Sequence, residues 1–210
     1  LEIPALFRAR ELIDDERFTF HSSRMSMKQV TKEELAAMDL DSDRCALELS
    51  DASVDVMGYA CLVAIMSMGL GYHRESQARL HQVTVENGQP CPVVSSAGAL
   101  VEGLAALRAQ RIALITPYRK PLTDLVCQYL ESEGFEVLDA MSLEIPDNLE
   151  VARQDPMAPV ALVDRRTRSI TNEMACISGG EGMTDKKQIK GLLDYISLKP
   201  GEEAEYATNS

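Results

Sequence analysis

Short β-branched, apolar segments alternate with helical segments along the chain, and this alternation constrains the fold more than any other feature. The strand-like segments are residues 54–60, 92–94, 111–116 and 135–138. Each is separated from the next by a helical pattern of about a dozen residues, the length that a crossover between parallel strands requires. The sequence therefore predicts an α/β fold in which parallel sheets are covered by helices.

Capping signals delimit the helices. Thr31, followed three residues later by Glu34, forms a capping box that opens an amphipathic helix. The apolar face of this helix consists of Leu35, Met38, Cys45 and Leu49. Further helices are predicted over residues 76–86, behind Ser96 as N-cap, and over residues 121–133, the last closed by Gly134.

The carboxyl ends of the predicted strands select candidate site residues. In parallel sheets, ligands bind beyond the carboxyl ends of the strands. Cys61 follows the first strand, Ser95 and Ser96 follow the second, and Pro117-Tyr118 follows the third. A site at this edge would therefore contain a thiol, hydroxyl groups and a phenol.

Charge and cysteine content narrow the class of protein. The 210 residues carry a net charge of -12 and a pI near 4.7, which argues against a nucleic-acid binder. Five cysteines without CxxC spacing indicate reduced thiols. The longest apolar stretch, residues 54–70, is interrupted by Asp55 and two glycines, so no membrane span is expected. Because no signal-peptide pattern is present, the sequence predicts a cytoplasmic protein.

Three segments closely resemble maleate cis-trans isomerases of the aspartate/glutamate racemase superfamily. They are Gly58-Tyr59-Ala60-Cys61-Leu62-Val63-Ala64-Ile65-Met66, Gly69-Leu70-Gly71-Tyr72-His73-Arg74-Glu75-Ser76 and Glu144-Ile145-Pro146-Asp147-Asn148-Leu149-Glu150-Val151. The resemblance extends over about residues 1–157 and implies a pseudo-symmetric, two-lobed, racemase-like fold with the active site between the lobes. On this basis residues 1–108 are the first lobe without its first strand, residues 109–163 are part of the second, and residues 164–210 are a divergent segment.

The resemblance also implies roles for particular residues. Cys61 matches the first of two catalytic cysteines, and Tyr118 and Asn148 match positions that hold the carboxylates of the substrate. The backbone N–H of Val63, at the strand-to-helix turn, can hold a carboxylate as well. Such enzymes need no metal, flavin or nucleotide and commonly form homodimers. We therefore expect a cofactor-independent homodimer that acts on a small dicarboxylate, with neither a nucleic acid nor a membrane as partner.

A thiol suits this reaction. Isomerising maleate to fumarate requires the double bond to become a single bond long enough to rotate. A thiolate can add to that bond, give a succinyl-cysteine adduct and leave again after rotation. The pKa of Cys61 is therefore expected to be lowered, and a second thiol would act as acid and base.

Both ends of the sequence depart from the family pattern. The opening strand and the Asn-containing loop of the family do not precede Leu1, which suggests a truncated chain. Cys176 is the nearest candidate for the second cysteine, but it lies a few residues short of the expected spacing, and residues 170–174 are a poor buried strand. Either Cys176 is a working equivalent, or the residues after about 163 are unrelated and the second lobe is incomplete.

Two other functions stay open. A racemase or decarboxylase of the same superfamily would also use cysteine next to a carboxylate. Alternatively, the chain could be a catalytically impaired module that binds dicarboxylates.

Each candidate residue also has a structural interpretation. Cys61 could be an inert buried thiol, Tyr118 a loop tyrosine and Asn148 a turn or cap residue. Several further histidines, cysteines and glycines are expected to be structural. These are His73 and His81 as solvated helix positions, Cys45 and Cys127 as core residues, Cys91 as a loop thiol, and Gly179–Gly182 as a patch unlike a phosphate-binding loop.

Overall fold

Strands and helices alternate in the structure as predicted. The computed structural model describes residues 2–154 and 175–178, so most of the predicted divergent segment 164–210, including Gly179–Gly182, lies outside the described residues. The elements are α1 (Glu2–Arg10), α2 (Lys32–Ser50), β1 (Met57–Tyr59), α3 (Leu62–Met68), α4 (Tyr72–Glu86), β2 (Val93–Ser95), α5 (Ser96–Ala106), β3 (Arg111–Thr116), α6 (Lys120–Ser132), β4 (Glu136–Ser142), α7 (Asn148–Ala152) and β5 (Ala175–Ser178).

All strand pairs in the described residues are parallel. One sheet consists of β1 and β2, with Tyr59 opposite Ser95. The other has the order β4-β3-β5, with Thr116 opposite Ser142 and Ile115 opposite Ser178. Helices α4 and α5 pack on β2, and α6 packs on β4. The prediction of an α/β fold with parallel sheets covered by helices is confirmed.

The chain divides into two compact units. Residues up to Phe20 belong to the first, in which the rings of Phe7 and Phe18 lie 4.9 Å apart. The second unit comprises residues 21–180 and contains both sheets. Among the helices that the structure describes, none has both the length and the apolar character needed to cross a membrane.

The N-terminus of α2 confirms Thr31 as N-cap but changes the other half of the capping box. The Thr31 side chain accepts a hydrogen bond from the N–H of Glu34. The Glu34 carboxylate accepts instead from the backbone N–H groups of Lys28 and Gln29, at 2.6 and 2.8 Å. These two hydrogen bonds lower the pKa of Glu34 and tie the incoming chain to the helix.

Helix α4 begins four residues earlier than predicted, and its first turn is partly buried. Gly71 precedes the helix with φ of 72°, a left-handed conformation that glycine adopts without steric cost. The earlier start turns His73 into the interior, where it is 6% exposed. The prediction that His73 is solvated is therefore wrong, because α4 is covered on this side by α6.

Gly98, near the start of α5, has the closest neighbours of the described glycines. A Cβ atom at this position would lie 2.5 Å from Gln77 Oε1 and 3.2 Å from both His73 Cδ2 and Ser95 Oγ. Ser95 Oγ donates a hydrogen bond to Gln77 Oε1 at 3.0 Å, so Gln77 cannot move without breaking that bond. In contrast, a Cβ atom at Gly103 of the same helix would have no atom of the described residues within 4 Å beyond its own helix.

We expect Gly98→Ala to destabilise the protein by about 1–2 kcal/mol, because the added methyl group displaces Gln77 from its partner. The matched control Gly103→Ala should be neutral or stabilise by a few tenths of a kcal/mol, since alanine reduces the entropy of the unfolded chain. Urea unfolding at neutral pH measures both changes. Equal effects of the two substitutions would contradict this account of the packing.

A polar joint connects α4 with α6. The buried Tyr129 hydroxyl accepts a hydrogen bond from the backbone N–H of His73 at 3.1 Å and is also hydrogen-bonded to its Nδ1 atom. At the C-cap of α6, the Glu133 carboxylate accepts two hydrogen bonds from Arg74, at 2.6 and 2.8 Å. Burial and the charge of Arg74 lower the pKa of His73, against the opposing charges of Glu133 and Glu102.

Stability is expected to fall between pH 7.5 and 5.5. The folded protein keeps His73 neutral, whereas the unfolded chain binds a proton near the ordinary pKa of 6.5. Below that pH the unfolded state holds more protons and is therefore favoured. Arg74 lowers the pKa of Glu133 below 4.5, so the contribution of Glu133 is lost only at more acidic pH.

Urea midpoints measured at pH 7.5, 6.5 and 5.5 test this expectation. His73→Gln should flatten the profile over this range, and Glu133→Gln should leave the decrease in place. A wild-type midpoint that does not change with pH would disprove the role of His73.

Candidate functional site

Cys61 lies where β1 ends and α3 begins. It is the N-cap residue of α3, with extended backbone angles of φ -150° and ψ 97°, and its side chain makes no capping hydrogen bond. The thiol is half-buried and packs against the apolar core of the unit. A half-buried sulfur at the carboxyl end of a parallel strand and the start of a helix is in a position to react with a bound ligand.

The backbone of Val63, but not its side chain, can contact a ligand at this turn. The side chain is buried in the core at 3% exposure. The first N–H groups of a helix have no intrahelical partner. The N–H groups of Leu62 and Val63 belong to this first turn, directly after Cys61, and can therefore donate hydrogen bonds to a ligand.

The neighbouring strand end is capped one residue earlier than predicted. Ser95, not Ser96, is the N-cap of α5, and its hydroxyl accepts a hydrogen bond from the N–H of Gly98 at 3.1 Å. The prediction for Ser96 is wrong because α5 follows β2 directly, so Ser96 is already the first residue of the helix. The Ser96 hydroxyl is buried without a hydrogen-bond partner within the part of the chain that the structure describes.

Tyr118 lies two residues beyond the end of β3 and is buried. The segment that follows β4 runs beside it, held by three backbone hydrogen bonds. These are Leu143 N–H to Thr116 O at 2.9 Å, Ile145 N–H to Pro117 O at 2.9 Å and Glu144 N–H to Tyr118 O at 3.2 Å. The same segment leads into α7. Asn148, the first residue of that helix, comes three residues after Ile145, whose N–H group is bonded to Pro117.

The cap of α7 is Asp147. Its carboxylate accepts hydrogen bonds from the N–H groups of Leu149 and Glu150, at 2.9 and 3.0 Å. Asn148 is thus the first residue of the helix and does not cap it. Gln29 forms an antiparallel bridge with Asp147, which joins this segment to the chain that precedes α2.

The backbone of Cys176 lies within β5, not beyond its end. In the parallel register Cys176 is opposite Ala113, while Ser178 is opposite Ile115. Residues 175–178 do form a strand, and it pairs with β3 at the centre of the sheet. Cys176 therefore lies deeper in the sheet than Cys61 or Tyr118, each of which follows the end of its strand.

The other candidates are structural. Cys45 and Cys91 are buried and Cys127 is half-buried. Burial raises the pKa of Cys91 and Cys127, so both are poor nucleophiles. Cys91 is a loop thiol, as predicted, but its loop is packed inward.

His81 is exposed, and its Nδ1 lies 2.7 Å from the Cys91 carbonyl oxygen. The described residues contain no group of three or more His, Cys, Asp or Glu side chains that could hold a metal ion.

Sequence reasoning missed a polar cluster between α2 and α4 that is centred on the buried Asp39. Asp39 of α2 is 3% exposed and accepts hydrogen bonds from Tyr72 and Arg79 of α4. Tyr59 is buried in β1, two residues before Cys61. One signal was available: Asp39 and Ser42 fall on the same helix face as Leu35 and Met38.

Comparison with known proteins places these features in a family. The family model for arylmalonate decarboxylase matches residues 8–192. A maleate isomerase of Pseudomonas putida is 68% identical over 155 residues, which are 74% of this chain and 62% of that protein. One of Geobacillus stearothermophilus is 60% identical over 199 residues, 94% of this chain and 78% of that protein. The chain thus spans less than two thirds of the Pseudomonas putida relative.

Solved structures agree with this assignment. The crystal structure of a maleate isomerase from Pseudomonas putida S16 is 57% identical, with a TM-score of 0.83 over 93% of this chain and 78% of that chain. A cysteine-to-serine variant of the Nocardia farcinica maleate cis-trans isomerase, which holds a covalently bound succinylcysteine intermediate, is 39% identical, with a TM-score of 0.81 over 94% of this chain and 79% of that chain. An arylmalonate decarboxylase variant at 21% identity and a TM-score of 0.67 over 83% of this chain and 72% of that chain shares the fold. The chain belongs to the maleate isomerase family and has the racemase-like α/β fold of that family and of arylmalonate decarboxylase.

Proposed function

We propose that this chain isomerises maleate to fumarate without a cofactor, through a covalent adduct on Cys61. The observation that carries the proposal is the position of Cys61, a half-buried thiol at the turn from β1 to α3 in a chain of the maleate isomerase family. The succinylcysteine in the Nocardia farcinica relative supports the same type of intermediate.

The proposed reaction forms and breaks one carbon–sulfur bond. The Cys61 thiolate adds its electron pair to one alkene carbon of maleate, and the π electrons move to the other carbon, which takes up a proton. The resulting succinyl-cysteine has a single bond between these carbons and can rotate about it. Loss of a proton from the carbon that was protonated, together with departure of the thiolate from the other carbon, then gives fumarate.

Two carboxylates must be held while the bond rotates. The backbone N–H of Val63 suits the carboxylate next to the sulfur, because it belongs to the first turn of α3. Tyr118 and Asn148 suit the other carboxylate. The backbone hydrogen bonds of residues 143–145 bring their segments side by side.

The proton requires a second group, for which Cys176 is the proposed candidate. Its position opposite Ala113 argues for a weaker role than that of Cys61, because the reacting carbons lie beyond the strand ends. Cys176→Ala tests the assignment. If Cys176 acts as the acid and base, the variant should still form the Cys61 adduct but turn over more slowly.

Incubation with maleate tests the proposed function. Proton NMR should show the alkene signal of maleate replaced by that of fumarate. Peptide mapping by mass spectrometry should show a succinyl-sized mass increase on the Cys61 peptide alone. Unchanged maleate and an unmodified Cys61 in a folded protein would refute the proposal.

A decarboxylase is the second candidate, favoured by the match of residues 8–192 to the arylmalonate decarboxylase family model. Arylmalonate, aspartate and glutamate in the same assay separate decarboxylation and racemisation from isomerisation. Protection of Cys61 from alkylation by maleate without turnover would instead indicate a catalytically impaired dicarboxylate-binding module.

Assembly and location are part of the proposal. We propose a homodimer in the cytoplasm, with neither a nucleic acid nor a membrane as partner. Light scattering coupled to size-exclusion chromatography measures the mass of the particle directly. The predicted lobes, residues 1–108 and 109–163, and the divergent segment from 164 onward stay predictions as well.

A further inference from the structure

A polar cluster centred on the buried side chain of Asp39 lies between α2 and α4. Asp39 Oδ2 accepts a hydrogen bond from the Tyr72 hydroxyl at 2.6 Å and from Arg79 Nη2 at 3.0 Å. Arg79 also forms an ion pair with Asp43 and donates to Ser42 Oγ at 3.2 Å. The cluster thus contains two acidic groups and one cation, and it joins α2 to α4.

Two atoms of this region make no hydrogen bond of ordinary length and angle within the described residues. They are Asp39 Oδ1 and the hydroxyl oxygen of Tyr59, and both are buried. A buried polar atom without a partner lowers stability by about 1–3 kcal/mol, so such atoms persist where they serve a purpose. One is an acceptor and the other carries a donor, so the two are complementary.

Tyr59 connects this cluster to Cys61. Tyr59 is the last residue of β1, and it precedes Cys61, the N-cap residue of α3, by only two positions. Burial raises the pKa of Tyr59, the charges of Asp39 and Cys61 and hydrogen bonding toward the Asp39 carboxylate raise it further, and Arg79 acts in the opposite direction. The Tyr59 hydroxyl therefore stays protonated and can only donate to the anions beside it.

We propose that Tyr59 is a positioning residue for Cys61: its neutral hydroxyl offsets the negative charge of Asp39 and so favours the thiolate. The proposal rests on the proposed function in one respect only, the role of Cys61 as nucleophile. The Tyr59 hydroxyl favours the Cys61 thiolate whichever of the two anions receives its hydrogen bond. Donation to the sulfur stabilises the thiolate directly, and donation to Asp39 reduces the repulsion that the thiolate experiences.

Substitutions of Tyr59 and of Asp39 should therefore shift the pKa of Cys61 in opposite directions. Tyr59→Phe removes the donor and leaves the Asp39 charge in place, so the pKa of Cys61 should rise. Asp39→Asn removes the negative charge but keeps Arg79, so the pKa of Cys61 should fall. A purely structural role would loosen the site in both variants and would not produce shifts of opposite sign.

The test measures the alkylation rate of Cys61 by iodoacetamide from pH 5 to 10, quantified on the Cys61 peptide by mass spectrometry. The midpoint for Tyr59→Phe should lie at least about half a pH unit above wild type, which is a roughly threefold loss of thiolate near neutral pH. The midpoint for Asp39→Asn should lie below wild type. Tyr129→Phe removes another buried hydroxyl, whose charged neighbours are Glu133 and Arg74, and should leave the midpoint unchanged.

Each result decides the question. Midpoints for Tyr59→Phe and Asp39→Asn that equal wild type, or that shift in the same direction, overturn the proposal. If Tyr59→Phe does not fold, Asp39→Asn alone must show the lower midpoint. The assay contains no maleate, so failure of the proposed function appears separately, as a lack of turnover by the wild-type protein.

Discussion

Replacing Cys61 by serine is expected to reduce maleate turnover at least about a thousandfold while the protein stays folded. A serine hydroxyl is not ionised near neutral pH and is a far weaker nucleophile than a thiolate, so it should not add to the alkene. The side chain is half-buried and the substitution changes one atom, so stability should change by less than about 1 kcal/mol. Proton NMR of maleate and fumarate measures the turnover, and circular dichroism checks the fold.

Cys127→Ser is the matched control. Cys127 is also half-buried, but burial raises the pKa of its thiol, and it lies within α6. The control should therefore keep the activity of the wild type. If Cys61→Ser retained more than about a tenth of the turnover, or formed the adduct on another cysteine, Cys61 would not be the nucleophile.

The sequence predicts elements best where local signals determine them. The predicted strand over residues 111–116 has the bounds of β3, because its apolar run ends at Pro117. Helix α6 starts one residue before the predicted Pro121, and Gly134 follows it with φ of 95°. Proline at a helix start and glycine at its end act within a few residues, and no tertiary information is needed to interpret them.

Predictions failed where a distant partner decides the outcome. The strand predicted over residues 54–60 shortens to Met57–Tyr59, because β2 offers only three residues for pairing. His73 has no local signal of burial, since its cover comes from Tyr129, which is distant in sequence. Residues 170–174, for which the sequence indicated a poor buried strand, lie outside the described residues; β5 begins after them, at Ala175.

The candidate site divides in the same way. Cys61 and Tyr118 follow predicted strands, so the rule for parallel sheets selects them from the sequence alone. Asp39, Tyr59 and Arg79 lie in three different elements, and only the fold brings them together. Candidate site residues at strand ends can thus be found from sequence, whereas the groups proposed to influence the ionisation of Cys61 require coordinates.

The joint between α4 and α6 should be the most sensitive point for stability. Tyr129 is 0% exposed, and its hydroxyl is hydrogen-bonded to both the backbone N–H and the ring of His73. Tyr129→Ala should destabilise the protein by about 3–5 kcal/mol, because it leaves a cavity where the ring was and removes the partner of His73.

Tyr129→Phe separates these two contributions. It keeps the ring and removes only the hydroxyl, so it should destabilise by about 1–3 kcal/mol, the range for a buried hydrogen-bonding group that loses its partner. Gln128→Ala on the exposed side of the same helix should stay within about 0.5 kcal/mol of the wild type. Urea unfolding measures all three variants at pH 7.5, where His73 is neutral. A loss below about 1 kcal/mol for Tyr129→Ala would show that the joint contributes little, and α4 and α6 would then be held together mainly by the apolar contacts of their neighbours.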